Sequence, residues 1–320
     1  MKSRMNGTLY FLLTTVGMLI GVPSAHAADT VATAPVPVKM TVTANVANSK
    51  RSPEITQGDV LVKQGKTRLE VTSWVPARGE QAGLDLFVLI DDVSDTRLGL
   101  ELDDLRSFIQ SQPETTAVGV GYMRNATVDI RQVFTTDHAA AAQALRLPLG
   151  SAGAYGSPYL SVVDLMKGWP EDGHRREVLM ITDGIDRAGR HLGWHRGYSN
   201  NPDADTAIAV AQKTGTIIHT MYAPAAGLTH RNYWVATNGQ MNMARLSDQT
   251  GGASYYLGIH SLVSFKPYLD SLQQVLDNQY LLSFSATPGK KGGLRSIKLS
   301  TEVAGVEFAA HDAVWVPAAK

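Results

Sequence analysis

Residues 86–90 form an uninterrupted apolar run, LFVLI, that ends in a cluster of oxygen-bearing side chains. Such a run predicts a strand buried on both faces, as in a parallel sheet covered by helices. Asp92, Ser94 and Thr96 follow it in a D-x-S-x-T pattern. Doubly wound α/β sheets bind ligands at the carboxyl ends of their strands. Because carboxylate and hydroxyl oxygens are the ligands that Mg²⁺, Mn²⁺ and Ca²⁺ prefer, the segment predicts both an α/β fold and a cation site.

The sequence pattern of residues 84–278 extends this prediction to a whole domain. Apolar strand-like runs alternate there with segments of helical spacing, and a second buried run, residues 178–181, ends in Thr182-Asp183-Gly184. Strands that alternate with helices indicate right-handed crossovers and a largely parallel sheet. The predicted fold class is therefore α/β, a doubly wound, mostly parallel sheet with small flanking β segments. The two flanks, residues 38–83 and 279–320, are expected to pair with each other. Among the individual elements, we predict a helix over residues 241–250 and a strand over residues 306–316.

The amino terminus carries the pattern of an export signal. Lys2 and Arg4 precede a short apolar stretch that ends at Ala25-His26-Ala27, an A-x-A cleavage site. We predict a signal peptide over residues 1–27 and a linker over 28–37, and therefore a periplasmic or secreted protein. The alternative is an uncleaved anchor, although the stretch is shorter than the roughly 20 residues that span a bilayer. No later stretch is apolar enough to cross a membrane.

Charge and cysteine content exclude some classes of function. Without residues 1–27 the chain holds 27 basic and 29 acidic residues, a net charge of −2. A near-neutral chain gives no electrostatic reason to expect a nucleic-acid partner. The chain has no cysteine, so thiol chemistry, cysteine metal ligands and disulfides are all excluded.

The order of these motifs resembles the metal-ion-dependent adhesion site of von Willebrand factor type A domains. Asp92, Ser94 and Thr96 match its first motif, with threonine in place of the usual second serine, and Asp183 matches its final acid. Ser157 matches the loop threonine, although Ser151 or residues 153–155 are alternative alignments. The resemblance implies a divalent cation, Mg²⁺ before Mn²⁺ or Ca²⁺. It also implies an open coordination position for an Asp or Glu carboxylate of a protein partner.

The resemblance extends along most of the mature chain. It is similar to a subfamily of exported bacterial von Willebrand A-related proteins first noticed in Acidobacteria. Residues 40–43 and 55–65 loosely match the β segment that precedes the domain in that subfamily, and residues 280–288 match its Y-x-L-x-Y-x-P tail. The role of that subfamily is largely undefined, so the match implies a fold and an export route more than a function.

A metal-free reading of the same residues stays open. Acids and hydroxyls at strand ends are also ordinary helix caps, so Asp92, Ser94, Thr96 and Asp183 are consistent with a metal-free relic. Asp91 and Asp95 lie in the same turn and are interpreted as solvated loop acids. The alternative is that their negative charge raises the affinity for a cation.

Two long connections after predicted strands carry aromatic and basic residues typical of protein contacts. We predict that their partner-binding residues are His191, Trp194, His195, Tyr198, His230 and Trp234. The alternative is loops that fold back and bury their own aromatics. A second metal at His191 and His195 is disfavoured because Gly193 interrupts a regular helix.

Enzyme motifs are missing: Gly156-Ser157-Pro158 is not a nucleophile elbow, and the glycines form no phosphate loop or dinucleotide fingerprint. We expect a binding protein and not an enzyme. The leading hypothesis is an exported, adhesion-type module that ligates an acidic group of a protein partner through a divalent cation. The alternative is a metal-independent scaffold component of a cell-envelope complex. An exported metal-dependent hydrolase is the third hypothesis.

Overall fold

The structure is a computed structural model that describes residues 34–46, 54–151, 153, 155–187, 201–226, 233–256 and 264–319. The side chains of residues 233 and 234 are not described. The predicted signal peptide lies outside these ranges.

Fourteen strands lie in the described ranges. They are β1 Val36–Val46, β2 Val60–Gln64, β3 Thr67–Leu69, β4 Val71–Pro76, β5 Leu84–Asp91, β6 Thr116–Arg124, β7 Thr127–Thr135, β8 Arg175–Thr182, β9 Thr216–Tyr222, β10 Ser254–Tyr255, β11 Gln279–Ala286, β12 Gly293–Thr301, β13 Val306–Ala309 and β14 Ala313–Val316. The helices are α1 Leu102–Gln110, α2 His138–Gln143, α3 Pro158–Lys167, α4 Pro202–Thr214, α5 Tyr233–Thr250 and α6 Lys266–Asp277. A 3₁₀ helix, Thr96–Glu101, precedes α1.

A six-stranded sheet in the order β10-β9-β8-β5-β6-β7 forms the centre of the fold. The strands β10, β9, β8, β5 and β6 are parallel to their neighbours, and β7 returns antiparallel at the edge. From β5 the chain proceeds outward to β6 and β7 and then crosses back to β8, on the other side of β5. The strand order therefore reverses between β5 and β8, which is the ligand-binding position of a doubly wound sheet. The predicted fold class is confirmed.

Helices cover both faces of this sheet, as the unbroken apolar run of β5 requires. All eight residues of β5 are buried. Leu86, Val88 and Ile90 pack with α1 and α6 on one face, and Phe87 and Leu89 pack with α3 and α4 on the other. A strand with two buried faces has no polar alternation, which is why residues 86–90 read as a continuous apolar segment.

The flanking β segments pair with each other. β1 lies between β11 and β13, and β2 pairs with β12, so each flank contributes to two antiparallel four-stranded sheets in the orders β13-β1-β11-β4 and β14-β12-β2-β3. Alternate residues of these strands share one apolar cluster, in which Val42, Val62, Phe284 and Val316 are fully buried. The flanks thus bury their apolar faces against each other, as in a sandwich.

Three boundaries differ from the sequence prediction. The helix expected from Met241 begins at Tyr233. Its first buried residues, Ala236 and Gly239, are small and give little apolar signal. The strand expected over 306–316 is split into β13 and β14 around a buried His311, and β1 begins at Val36, inside the predicted linker. None of the described helices is long and apolar enough to cross a membrane.

Candidate functional site

The two acidic motifs lie at the same edge of the central sheet. Ile90 of β5 is level with Ile181 of β8 in their parallel pairing, so Asp92 and Asp183 are each two residues beyond the same pair. Both carboxylates are fully buried. Because β5 and β8 flank the reversal of strand order, these acids lie in the crevice where such sheets bind ligands.

Asp91, the last residue of β5, is hydrogen-bonded to Thr182, the last residue of β8. Its Oδ2 accepts a hydrogen bond of 2.7 Å from the Thr182 hydroxyl, and its Oδ1 accepts one of 3.1 Å from the backbone N–H of Val93. Burial, together with the negative charge of Asp183, raises the pKa of Asp91 to about 6. The acid interpreted from sequence as a solvated loop residue is therefore buried, and that interpretation is wrong. It belongs to the strand, so its side chain faces inward.

Asp92 is held by an arginine from a distant part of the chain. Nη1 of Arg146 lies 2.6 Å from Oδ1 of Asp92, and Nη2 lies 3.0 Å from Oδ2. The backbone N–H of Leu149 donates a further bond of 3.3 Å to Oδ1. Both carboxylate oxygens are thus engaged in a bidentate fork, the strongest geometry for this type of pair.

Arg146 is itself fixed in place by Tyr122 of β6. The guanidinium carbon lies 3.7 Å from the centre of the Tyr122 ring. The tyrosine hydroxyl donates to the Arg146 carbonyl and accepts from its backbone N–H, each at 2.7 Å. Since the backbone and the head group of Arg146 are both held by one side chain, the guanidinium is positioned independently of any ligand.

Asp183 is paired with a second guanidinium group, that of Arg187. Nη1 of Arg187 lies 3.1 Å from Oδ1 of Asp183, and Nη2 bonds to Oδ2. The backbone N–H of Ile185 donates to Oδ1 at 3.0 Å. Arg187 is anchored by its own backbone N–H, which donates to the carbonyl of Gly156 at 2.7 Å, and its side chain is nine-tenths buried. The final acid of the motif is therefore neutralised as completely as the first.

The hydroxyl residues of the predicted site have three different environments. The Oγ of Ser94 is buried and has no hydrogen-bond partner among the residues that the structure describes. Ser157 caps the first turn of α3, and its hydroxyl lies 3.1 Å from a carboxylate oxygen of Asp203. Thr96 is exposed at the start of the 3₁₀ helix.

These contacts do not fit a divalent cation bound to Asp92 and Asp183. A cation would have to displace two bidentate guanidinium groups and then share the crevice with their positive charges. Among the described residues, the buried Oγ of Ser94 favours a cation, because it has no hydrogen-bond partner there. The metal assignment of Asp92, Ser94, Thr96, Ser157 and Asp183 stays a prediction that titration can test.

A different group has the spacing of metal ligands. In the part of the chain that the structure describes, one group of three His or acidic side chains has ligand atoms within 4.8 Å of one another: Asp85, Asp172 and His174. It lies at the amino end of β5, the opposite edge from the acidic motifs. Nδ1 of His174 is 3.0 Å from Asp85 and 3.4 Å from Asp172, so contacts between the imidazole and these two acids already account for the cluster.

An apolar rim borders the crevice. Leu147 and Leu149 flank Pro148 in the segment after α2, and about half of each leucine is exposed. This segment is tied to Asp92 through the N–H of Leu149 and through the N–H of Ser151, which donates to the Asp92 carbonyl at 2.9 Å. Leu147 packs over Gly99, and the neighbouring Leu100 is 78% exposed. We call Leu100, Leu147 and Leu149 the leucine rim.

The predicted partner-binding residues cannot be placed on this edge. His191, Trp194, His195, Tyr198 and His230 lie outside the described residues. Trp234 is in the first turn of α5 and not in a loop, and its side chain is not described. The loop prediction for residue 234 is wrong because α5 begins eight residues earlier than its apolar spacing indicates.

Sequence reasoning missed the arginines and the leucine rim. Arg187 follows Asp183 by four residues, a spacing that a tight turn after the strand brings together. Arg146 is 54 residues from Asp92, and nothing in the local pattern connects them. For Leu147 and Leu149 the sequence held one indication, the L-P-L segment, in which the proline favours an extended conformation of the residue before it.

No protein-family model matches the chain, and no curated protein sequence matches it. Solved structures do match. An aerotolerance-related membrane protein from Bacteroides fragilis is 12% identical, covers 61% of this chain and 99% of its own, and has a TM-score of 0.42. The ArnB paralog VWA2 from Sulfolobus acidocaldarius is 9% identical over 88% of this chain and 76% of its own, with a TM-score of 0.39. The human COPII-coat protein Sec24c is 10% identical, covers 76% of this chain and 44% of its own, and has a TM-score of 0.44. Likeness at this level carries no argument about function.

Proposed function

We propose that this chain is an exported protein-binding module whose partner docks on the leucine rim beside the crevice between β5 and β8. The observation that carries the proposal is the position of the rim. Leu147 and Leu149 are exposed on a segment that is hydrogen-bonded to Asp92 at the ligand-binding edge of the sheet. Leu100 is exposed beside Gly99, against which Leu147 packs. Exposed leucines scattered singly need no explanation, but a group at this edge is typical of an interaction site.

The crevice favours a macromolecular partner over a small molecule. The cavity that Asp91, Ser157 and Arg187 line has a volume of about 10 Å³. That volume holds about one water molecule, whereas ligand pockets measure roughly 300–1,000 Å³. A partner that covers the rim from outside needs no such pocket, since burying a leucine side chain contributes about 1.5–3 kcal/mol by itself.

The competing hypothesis is the cation-dependent version of the same function, in which a metal ligates an acidic group of the partner. The unpartnered hydroxyl of Ser94 favours it, and the guanidinium pairs of Asp92 and Asp183 oppose it. The two versions differ in one measurable property, since only the cation-dependent one loses its partner in EDTA. A scaffold role in the cell envelope is compatible with a rim-docked partner.

The test is a quantitative capture experiment with the mature chain, residues 28–320, on an envelope extract of the source organism. The rim variant carries Leu100→Ser, Leu147→Ser and Leu149→Ser. The matched control carries Ile130→Ser and Val133→Ser, which remove two equally exposed apolar side chains from the edge strand β7. Each protein is compared in Mg²⁺ and in EDTA.

We expect the wild type and the control variant to capture the same set of proteins. With the rim variant, the captured amount of these proteins should fall at least about tenfold, since a loss of about 1.4 kcal/mol in binding free energy gives a factor of ten. Equal recovery by the rim variant, or equal loss in the control, contradicts docking on the rim. Recovery that disappears in EDTA selects the cation-dependent version.

A further inference from the structure

We infer that Arg146 and Arg187 act as built-in cations, so that this edge of the sheet is a metal-free centre in which two guanidinium groups neutralise Asp92 and Asp183. The inference concerns the charge chemistry of the crevice. It is independent of whether the leucine rim binds a partner, because it is tested on the protein alone.

The charges at the crevice are already balanced in pairs. Each of the two fully buried carboxylates receives two guanidinium N–H groups and one backbone N–H. A hard cation such as Mg²⁺ prefers carboxylates that are free to approach it at about 2.1 Å. Here the approach is occupied, and a doubly charged ion would be repelled by both guanidinium groups in a buried, weakly screened site.

The arginines are also held in place by contacts that a cation could not replace. The guanidinium of Arg146 lies over the ring of Tyr122 and bonds at its edge to the carboxylate of Asp92. Arg187 is tied to the carbonyls of Gly156 and Ile185, which lie on two different loops. Displacing Arg187, whose side chain is nine-tenths buried, would leave a buried positive charge unpaired, which costs several kcal/mol. Displacing Arg146 would break its contacts with the ring of Tyr122 and the carbonyl of Leu147.

The two arginine residues also connect the segments around the crevice, through their main chain and their side chains. Through Gly156 and Ile185, Arg187 joins the segment before α3 to the segment after β8. Through Tyr122 and Leu147, Arg146 joins β6 to the segment that carries the rim. Contacts between protein groups therefore connect these described segments around the crevice.

The test is calorimetric titration of the mature protein with Mn²⁺ and Mg²⁺, with circular dichroism as the check on folding. The double variant Arg146→Gln, Arg187→Gln removes both positive charges from the crevice. The matched control, Arg146→Lys with Arg187→Lys, keeps both positive charges and loses the bidentate geometry. Because Asp85, Asp172 and His174 form a separate candidate site, every titration is repeated with His174→Gln.

We expect no saturable binding at the crevice in the wild type or in the lysine variant. The glutamine variant gains Mn²⁺ binding with a dissociation constant on the order of a millimolar or tighter. Binding that survives Asp92→Asn but disappears with His174→Gln belongs to the opposite edge and supports the inference. Wild-type binding that is lost in Asp92→Asn, or in the milder Ser94→Ala, overturns it. A folded glutamine variant that gains no binding overturns it as well.

Discussion

Gly239 of α5 lies directly against the backbone of Asp183. A β carbon at position 239 would be 2.3 Å from the carbonyl oxygen of Asp183, closer than any real contact. Gly184 faces it with φ of 69°, and a β carbon there would be 2.5 Å from the carbonyl oxygen of Gly239. The absence of two side chains thus lets α5 approach the end of β8 and fixes the position of the second acid.

Gly239→Ala should therefore disturb the crevice. The neighbouring atoms are backbone and cannot turn aside, so we expect a loss of about 1–3 kcal/mol in the free energy of unfolding, measured by urea denaturation. Gly293→Ala in β12 is the control, because a β carbon at position 293 would have nothing within 4 Å and the substitution should be nearly neutral. Equal stability of the two variants would contradict the close contact.

Ser94→Ala is expected to leave the free protein as stable as the wild type or about 1 kcal/mol more stable. The Oγ of Ser94 is buried without a partner among the described residues, so its removal relieves an unmade hydrogen bond. Ser161→Ala is the matched control: it is equally buried, but its Oγ donates to the Ser157 carbonyl at 3.1 Å. The control should lose about 1 kcal/mol in urea denaturation. A loss of more than about 2 kcal/mol in Ser94→Ala would show that this hydroxyl has a partner.

The edge that holds the site was predictable because strand ends are a local property. The apolar runs before Asp92 and Asp183 identify two buried strands, and the parallel fold class places their carboxyl ends together. Arg146 was not predictable, because its pairing with Asp92 depends on how the segment after α2 packs against β6. The two acids were visible in the sequence, whereas the arginines that neutralise them depend on tertiary contacts.

The same distinction explains the error at α5. A helix is recognised by large apolar residues at helical spacing. The first turns of α5 instead present Ala236 and Gly239, both buried, and Gly239 lies against the backbone of Asp183 and Gly184 just after β8. The residues that allow the closest packing are therefore those that weaken the periodic signal.

His311 should make stability depend on pH. Burial lowers the pKa of His311 from 6.5 to about 4, so the unfolded chain binds a proton between these values while the folded chain does not. Stability therefore falls as the pH drops from about 6.5 towards 4, by up to about 3 kcal/mol from this residue. Urea denaturation from pH 4 to 8 should give a flatter profile for His311→Asn than for the wild type. Parallel profiles would show that His311 does not titrate in this way.

Arg175 joins the two points at which the chain enters and leaves the central domain. Its guanidinium donates to the carbonyl of Ala82, just before β5, at 3.0 Å, and to the carbonyl of Leu276, at the end of α6, at 3.3 Å. It also bonds to the side chain of Gln279 in β11 and lies 4.0 Å from the buried Glu177. One buried side chain therefore connects β8 to both crossings into the flanking β segments.

Arg175→Met should loosen both crossings at once. It removes the guanidinium donors to these carbonyls and the positive charge beside the buried Glu177, which predicts a loss of about 3–5 kcal/mol in the free energy of unfolding. Hydrogen exchange should then accelerate selectively at residues 77–83 and 277–279. The control is Arg176→Met, which removes a single bond of 2.7 Å to the Pro170 carbonyl and should cost about 1 kcal/mol. If Arg175→Met lowers global stability while exchange at both crossings stays as slow as in the control, Arg175 stabilises β8 alone and does not join the two crossings.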